Sequence, residues 1–140
     1  MNEAYRTEVL LVEDNPGDVR LIKEALRGCE SRISIHVVTD GVEALQFLHQ
    51  EGVYADEPRP DLILLDMHLP RRNGKDVLSD ISKDEALQEI PVIILTGGET
   101  DQTTVDQFRG MVRGVLKKPV KRTDFSRIIK EIEAVRRNPS

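Results

Sequence analysis

The sequence predicts an α/β fold in which a five-stranded parallel sheet carries helices on both faces. Five short apolar segments recur along the chain, and the stretches between them are long enough for helices. EVLLV at 8–12, DLILL at 61–65 and PVIIL at 91–95 are apolar runs rather than alternating patterns. Strands that are buried on both faces have this pattern. Their alternation with helices favours parallel pairing through right-handed crossovers.

The two remaining segments and the helices complete five βα units. ISIHVV at 33–38 alternates in part, so we expect this strand near an edge of the sheet, and GVL at 114–116 is the short fifth strand. Asn15 and Pro16 precede the first helix as start signals. The residues expected to face the core from the five helices are Val19, Ile22 and Leu26; Val42, Leu45, Phe47 and Leu48; Val77, Leu78 and Ile81; Val105 and Phe108; and Phe125, Ile128, Ile129, Ile132 and Val135.

Length and composition limit the possible functions. The chain has 140 residues, of which 39% are hydrophobic and 32% are charged, as in a single globular domain. Its net charge of −5 argues against direct, charge-driven nucleic-acid binding. The apolar runs are far shorter than the ~20 residues of a membrane span, and the N-terminus lacks an apolar signal region. A single cysteine, Cys29, excludes an internal disulfide. Together these features predict a soluble, cytoplasmic protein.

Polar side chains follow four of the five predicted strands, at the edge of a parallel sheet where ligands bind. Glu13 and Asp14 follow the first strand, Asp66 the third, Thr96 the fourth and Lys118 the fifth. Three neighbouring carboxylates repel one another, and either raised pKa values or a bound cation relieves that repulsion. Because all the ligand atoms are oxygens, the pattern predicts Mg²⁺.

These residue types also predict phosphoryl chemistry. One carboxylate could act as a nucleophile and form an aspartyl phosphate. Lys118 would balance the added charge, and Thr96 would donate a hydrogen bond to a phosphoryl oxygen. Each residue also has a structural interpretation: residues 13–16 as a helix start, Asp66 as a strand-end turn residue, and Lys118 as a surface lysine. The functional interpretation depends on their occurrence together at one edge of the sheet.

Four separated motifs carry a family resemblance. EVLLVEDNP, DLILLDMHLPRRNG, VIILTGG and LKKPV resemble, in type, order and spacing, the receiver domain of two-component response regulators. The resemblance implies a flavodoxin-like, doubly wound (βα)5 fold over residues 7–137, with short tails at 1–6 and 138–140.

The resemblance also implies a role for each site residue. Asp66 would be the phosphoacceptor, and Thr96 and Lys118 would contact the phosphoryl group. The Mg²⁺ ligands would be Asp14 and Asp66 directly, Glu13 largely through water, and His68 through its carbonyl oxygen.

The implied function is that of a stand-alone response regulator rather than an enzyme. Such a chain assists its own phosphotransfer and dephosphorylation and then signals by protein contact. A sensor histidine kinase or a histidine phosphotransfer protein would supply the phosphoryl group. NPGDVRLIKEAL, HVVTDGVEALQFL and GVYADEPRPDLILLD are similar to stand-alone regulators associated with phytochrome-type kinases. Regulators of that kind often self-associate, which would place a homodimer contact on the last two βα units; the alternative is that the aliphatic residues there only fill the core.

Other functions and other polar residues fit less well. A Mg²⁺-dependent phosphatase of the haloacid-dehalogenase kind also uses an aspartyl phosphate, but it needs a second Asp two residues after the nucleophile, where this chain has His68. Neither G-x-G-x-x-G nor G-x-x-x-x-G-K-[ST] follows the first strand, which disfavours a nucleotide-binding domain. His36, His49 and Cys29 are expected to have structural roles.

Overall fold

Five strands alternate with five helices in residues 6–28, 32–98 and 102–137, the part of the chain that the computed structural model describes. Side chains of the last helix are described as far as residue 134. The strands are β1 (Thr7–Val12), β2 (Ile33–Val38), β3 (Leu62–Asp66), β4 (Val92–Thr96) and β5 (Val112–Lys117). The helices are α1 (Pro16–Arg27), α2 (Gly41–Leu48), α3 (Gly74–Ser82), α4 (Gln102–Gln107) and α5 (Arg122–Arg137). The predicted α/β fold is confirmed.

All five strands pair in parallel in the order β2-β1-β3-β4-β5. The predicted edge position of β2 is confirmed, and β5 forms the opposite edge. Strand order reverses between β1 and β3, because β2 lies on one side of β1 and β3, β4 and β5 follow on its other side. Such a reversal point is where doubly wound sheets hold their ligands. The loops after β1 and β3 therefore meet at this position.

The sheet lies between two apolar layers, which are built from alternate residues of the same strands. Leu10, Ile63 and Ile94 face the layer formed with α2 and α3, whereas Leu11 and Leu64 face the layer formed with α1 and α5. Their side chains are at most 1% exposed. Complete burial of one such side chain stabilises the fold by about 1.5–3 kcal/mol. Burial on both faces holds the strand ends in fixed positions beneath the polar loops.

Each of the first three helices begins at a polar N-cap residue. Asn15, Asp40 and Asn73 accept hydrogen bonds from the main-chain N–H three positions further on, at 3.0, 2.8 and 3.0 Å. A cap of this kind contributes about 1 kcal/mol. The helix start predicted at Asn15 and Pro16 is therefore confirmed.

Most predicted core positions are buried, with local differences. In α2, Ala44 is buried and the predicted Leu45 is only half-buried. The fifth strand, predicted at 114–116, extends over Val112–Lys117. Val135 and Cys29 lie outside the side chains that the structure describes. Among the described residues, none of the helices is both long enough and apolar enough to cross a membrane.

Candidate functional site

Three of the predicted site residues form a compact acidic group at the carboxyl end of the sheet. Glu13 and Asp14 follow β1 and Asp66 ends β3, and one carboxylate oxygen from each lies within 4.8 Å of the others. Glu13 is fully buried and Asp66 is nearly so, whereas Asp14 is exposed. The adjacency of β1 and β3 in the sheet produces this convergence between residues more than 50 positions apart.

Lys118 enters the acidic group from the loop after β5. Its Nζ lies 2.5 Å from Glu13 Oε2 and donates hydrogen bonds to Asp18 Oδ2 at 3.0 Å and Asp66 Oδ2 at 3.4 Å. Its main-chain N–H donates to the Thr96 carbonyl at 2.7 Å, which fixes the loop against the end of β4. The predicted approach of Lys118 to Asp66 is therefore present in the structure.

Burial and like charge govern the protonation of Glu13. Its burial, reinforced by the neighbouring Asp66, raises the pKa of Glu13 from 4.5 to about 7, although Lys118 and the N–H of Asn15 favour the ionised form. Burial opposes the charge of Lys118 as well. Contacts with Glu13 and Asp18, together with the charge of Asp66, outweigh that effect and raise the pKa of Lys118 above its ordinary value. The ammonium is therefore charged throughout the physiological range.

The acidic group fits a hard divalent cation. Glu13 Oε2 is buried and receives no hydrogen bond among the described residues, because the contact with Lys118 Nζ is an ion pair without hydrogen-bond angles. The charge of Lys118 compensates this oxygen in the structure, and a bound divalent cation could compensate it in the same way. Three carboxylates that each offer one oxygen within 4.8 Å of the others match the ligands that Mg²⁺ takes in proteins.

Asp18 is a site residue that sequence reasoning missed. It is the third residue of α1, and its N–H donates to the cap residue Asn15. Acidic residues are common in the first turn of a helix because they complement the helix dipole, so the local pattern indicates only that role. Its contact with Lys118 spans 100 residues and becomes visible only in the folded chain, where Lys118 reaches from the loop after β5 to the start of α1.

The loop after β3 binds Oδ1 of Asp66, the carboxylate oxygen that Lys118 does not contact. The N–H of His68 donates to Asp66 Oδ1 at 3.0 Å, while the His68 side chain is exposed. A Cβ added at Gly74 would lie 2.6 Å from Met67 Cα and 2.9 Å from the Asp66 carbonyl oxygen, so only glycine allows α3 to start this close. The Asp66 carboxylate is thus held by Lys118 on one oxygen and by the loop on the other.

The same loop is anchored on the start of α2. Arg71 has a left-handed backbone with φ of 62° and pairs with Asp40 at 2.7 Å. The backbone of Arg72 packs so closely that a Cβ at Gly41 would lie 1.9 Å from its carbonyl oxygen. Burial acts to raise the pKa of Asp40, but hydrogen bonds from the α2 backbone and from Arg71 hold it below its ordinary value.

The remaining predicted residues have other neighbours. Thr96 Oγ1 makes hydrogen bonds with both the carbonyl and the N–H of Gly98 at 3.2 Å, and so caps the loop after β4. His36 lies between Glu8 and Glu57, at 2.8 and 3.2 Å, and His49 contacts Asp84 at 3.0 Å. The two histidines thus contact carboxylates outside the acidic group.

The fold and the site together define a receiver domain. Residues 9–130 match the family described as the response regulator receiver domain, and the chain belongs to that family. The resemblance predicted from the four motifs is therefore confirmed.

The relatives include response regulators, and one of them is named as a phytochrome response regulator. The chain is 35% identical over 126 residues to response regulator Rcp1 of Synechocystis sp., a match that covers 90% of this chain and 86% of Rcp1. Among solved structures, the phosphorylated cyanobacterial phytochrome response regulator RcpA is similar, with 36% identity, a TM-score of 0.76 and coverage of 97% of each chain. The Mn(2+)-bound form of Rcp1 gives 34% identity and a TM-score of 0.73, over 91% of this chain and 92% of the other.

Proposed function

We propose that this receiver domain accepts a phosphoryl group on Asp66, in a Mg²⁺-dependent reaction, and signals through contact with another protein. The single observation that carries the proposal is the convergence at Asp66. Its carboxylate lies beside Glu13 and Asp14, and Lys118 donates to one of its oxygens. This arrangement combines a nucleophile, ligands for a hard cation and a fixed positive charge.

The reaction is an in-line transfer from a phosphohistidine. A carboxylate oxygen of Asp66 attacks phosphorus as the P–N bond breaks, and the imidazole leaves with the electron pair and takes up a proton from solvent. The His68 N–H holds the other Asp66 oxygen and so orients the carboxylate. Lys118 provides positive charge to the phosphoryl oxygens, a stabilisation that is strong because the site is largely withdrawn from water.

The remaining site residues support this transfer. Mg²⁺ bound by Glu13, Asp14, Asp66 and the His68 carbonyl would neutralise charge on the phosphoryl oxygens. The Thr96 hydroxyl, which in this structure donates to the Gly98 carbonyl, turns to donate to a phosphoryl oxygen. Asp66 retains the phosphoryl group after transfer, so the chain is a phosphoacceptor rather than an enzyme that turns over a substrate.

Intact-mass spectrometry tests the proposal. The protein is incubated with Mg²⁺ and acetyl phosphate, alone and with an excess of EDTA. We expect one added phosphoryl group in the wild type with Mg²⁺, and none with EDTA or in Asp66→Asn. Phosphorylation that persists in Asp66→Asn would contradict the proposal. Rapid multiple turnover of small phosphomonoesters would instead indicate the phosphatase alternative.

The donor is a sensor histidine kinase or a histidine phosphotransfer protein, and a phytochrome-type kinase is the particular donor that we propose. The name of RcpA, a cyanobacterial phytochrome response regulator that is 36% identical to this chain, supports this choice. Purified phytochrome-type and unrelated histidine kinases, each autophosphorylated with labelled ATP, provide the test. We expect faster transfer from the phytochrome-type kinase; equal or slower transfer would contradict this choice of donor.

A homodimer through the last two βα units is the second partner proposal. Val112 and Ile128 are buried in the core, but Val115 and Ile132 are half-buried beside an open groove of about 520 Å³ between β5 and α5. Arginine and glutamate side chains both line this groove, so two copies could pair opposite charges across a two-fold axis. Light scattering of the wild type and of Ile132→Glu tests the contact. We expect a dimer in the first and a monomer in the second, and a monomeric wild type would contradict it.

A further inference from the structure

The Lys118 ammonium lies among three carboxylates, and two of them are groups that a cation needs. Glu13 and Asp66 belong to the acidic group whose oxygens lie within 4.8 Å of one another, whereas Asp18 does not. The Lys118 ammonium contacts all three, at 2.5 Å from Glu13, 3.0 Å from Asp18 and 3.4 Å from Asp66. A divalent cation that takes Glu13 and Asp66 must therefore compete with Lys118 for them.

We infer that Asp18 is a positioning residue that holds the Lys118 ammonium beside α1 and Glu13, so that Asp66 remains available to Mg²⁺. The inference rests on the proposed function, because it concerns the same site. The hydrogen bond from Nζ to Asp18 Oδ2, at 3.0 Å, is shorter than the one to Asp66 Oδ2, at 3.4 Å. The ammonium is thus drawn toward α1 and away from Asp66.

The N-terminus of α1 holds Asp18 in this position. The main-chain N–H of Asp18 donates to the cap residue Asn15, and Pro16 restricts the backbone at the helix start. The Asp18 side chain is 32% exposed and that of Lys118 is 16% exposed, so the contact lies at the mouth of the site. When a cation arrives, Lys118 keeps a charged partner there and does not have to leave the site.

Loss of Asp18 has two effects on the cation, and they can be separated. Removal of one nearby negative charge weakens Mg²⁺ binding directly, by about twofold for a partly exposed group. If Asp18 positions Lys118, its removal also lets the ammonium move closer to Asp66, which raises the total loss to about tenfold. Only the second effect requires Lys118.

A double-mutant cycle on Mg²⁺ affinity tests the inference. Calorimetric titration with MgCl₂ is carried out on the wild type, Asp18→Asn, Lys118→Met and the double variant. We expect Asp18→Asn to weaken binding about tenfold when Lys118 is present and about twofold in the Lys118→Met background. An equal loss in the two backgrounds, or a larger loss without Lys118, would overturn the inference.

The chain offers a matched control. Asp76 occupies the same position in α3, where its N–H donates to the cap residue Asn73 at 3.0 Å. Within the described part of the chain, Asp76 is not among the contacts of Lys118. Asp76→Asn should lower the melting temperature about as much as Asp18→Asn and leave Mg²⁺ affinity within about twofold of the wild type. A tenfold loss of affinity in Asp76→Asn would also overturn the inference.

The outcomes separate this inference from the proposed function. If the wild type binds no Mg²⁺, or if Asp66→Asn binds it equally well, both are wrong. If Mg²⁺ binds through Asp66 and the loss from Asp18→Asn does not depend on Lys118, only the role of Asp18 is wrong.

Discussion

Replacement of Glu13 by glutamine should stabilise the protein when no divalent cation is bound. Glu13 is fully buried, and burial beside Asp66 raises its pKa from 4.5 to about 7. Each pH unit corresponds to about 1.4 kcal/mol, so ionisation of the buried group costs about 3 kcal/mol. Glutamine has nearly the same shape and carries no charge. It therefore avoids this cost and keeps an oxygen beside the Lys118 ammonium.

The effect depends on pH in a direction that follows from the raised pKa. Between pH 4.5 and about 7 the folded state binds more protons at Glu13 than the unfolded state does. Wild-type stability therefore falls as the pH rises through this interval, and the full cost is present above it. We expect Glu13→Gln to exceed the wild type by about 3 kcal/mol at pH 8, and by much less at pH 5.

Urea denaturation with EDTA, followed by circular dichroism at pH 5 and pH 8, measures this difference. A gain of this size corresponds to a rise of about 10 °C in melting temperature for a chain of this length. With saturating MgCl₂ the order should reverse, because a cation that binds only the folded state stabilises the wild type more than the variant. A Glu13→Gln variant that is less stable than the wild type at pH 8 with EDTA would refute the reasoning.

Two further predictions concern the anchoring of the loop after β3. Gly41→Ala should destabilise the fold by about 1–3 kcal/mol, because its Cβ would overlap the Arg72 carbonyl. Gly110→Ala is the control, since the Cβ added there meets open space. Equal denaturation midpoints for the two variants would contradict the prediction. Arg71→Ala should cost at most about 1 kcal/mol at pH 7, since Arg71 is largely exposed. Because Arg71 lowers the pKa of Asp40, its contribution is present above pH 3.8 and disappears as the pH falls further, so denaturation curves of Arg71→Ala and wild type should converge in acid.

The convergence of the site could be predicted because it depends on topology alone. Apolar runs identify buried parallel strands, and the residue that follows each run must lie at the carboxyl edge. Asp14, Asp66 and Lys118 could therefore be grouped before any distance was known. The burial of Glu13 and the shift of its pKa could not be predicted, because they depend on how closely Lys118 and the loops cover it.

The contacts that sequence reasoning missed join residues whose local pattern already has a sufficient explanation. The local sequence around Asp18 and Asp40 is typical of a helix start, and both residues do lie at the starts of α1 and α2. Their second partners, Lys118 and Arg71, are 100 and 31 residues away. Ala44 was missed for a different reason: a small residue carries little hydrophobic signal, and close packing against its neighbours determines its burial.

Chemical trapping of the acyl phosphate tests the central claim most directly. The protein is phosphorylated with acetyl phosphate and Mg²⁺ and then reduced with borohydride, which converts a phosphorylated aspartate to homoserine. Peptide mass spectrometry then locates the modified residue. We expect homoserine at position 66 and at no other aspartate. Homoserine at position 14, or none after complete phosphorylation, would contradict the assignment of Asp66 as the phosphoacceptor.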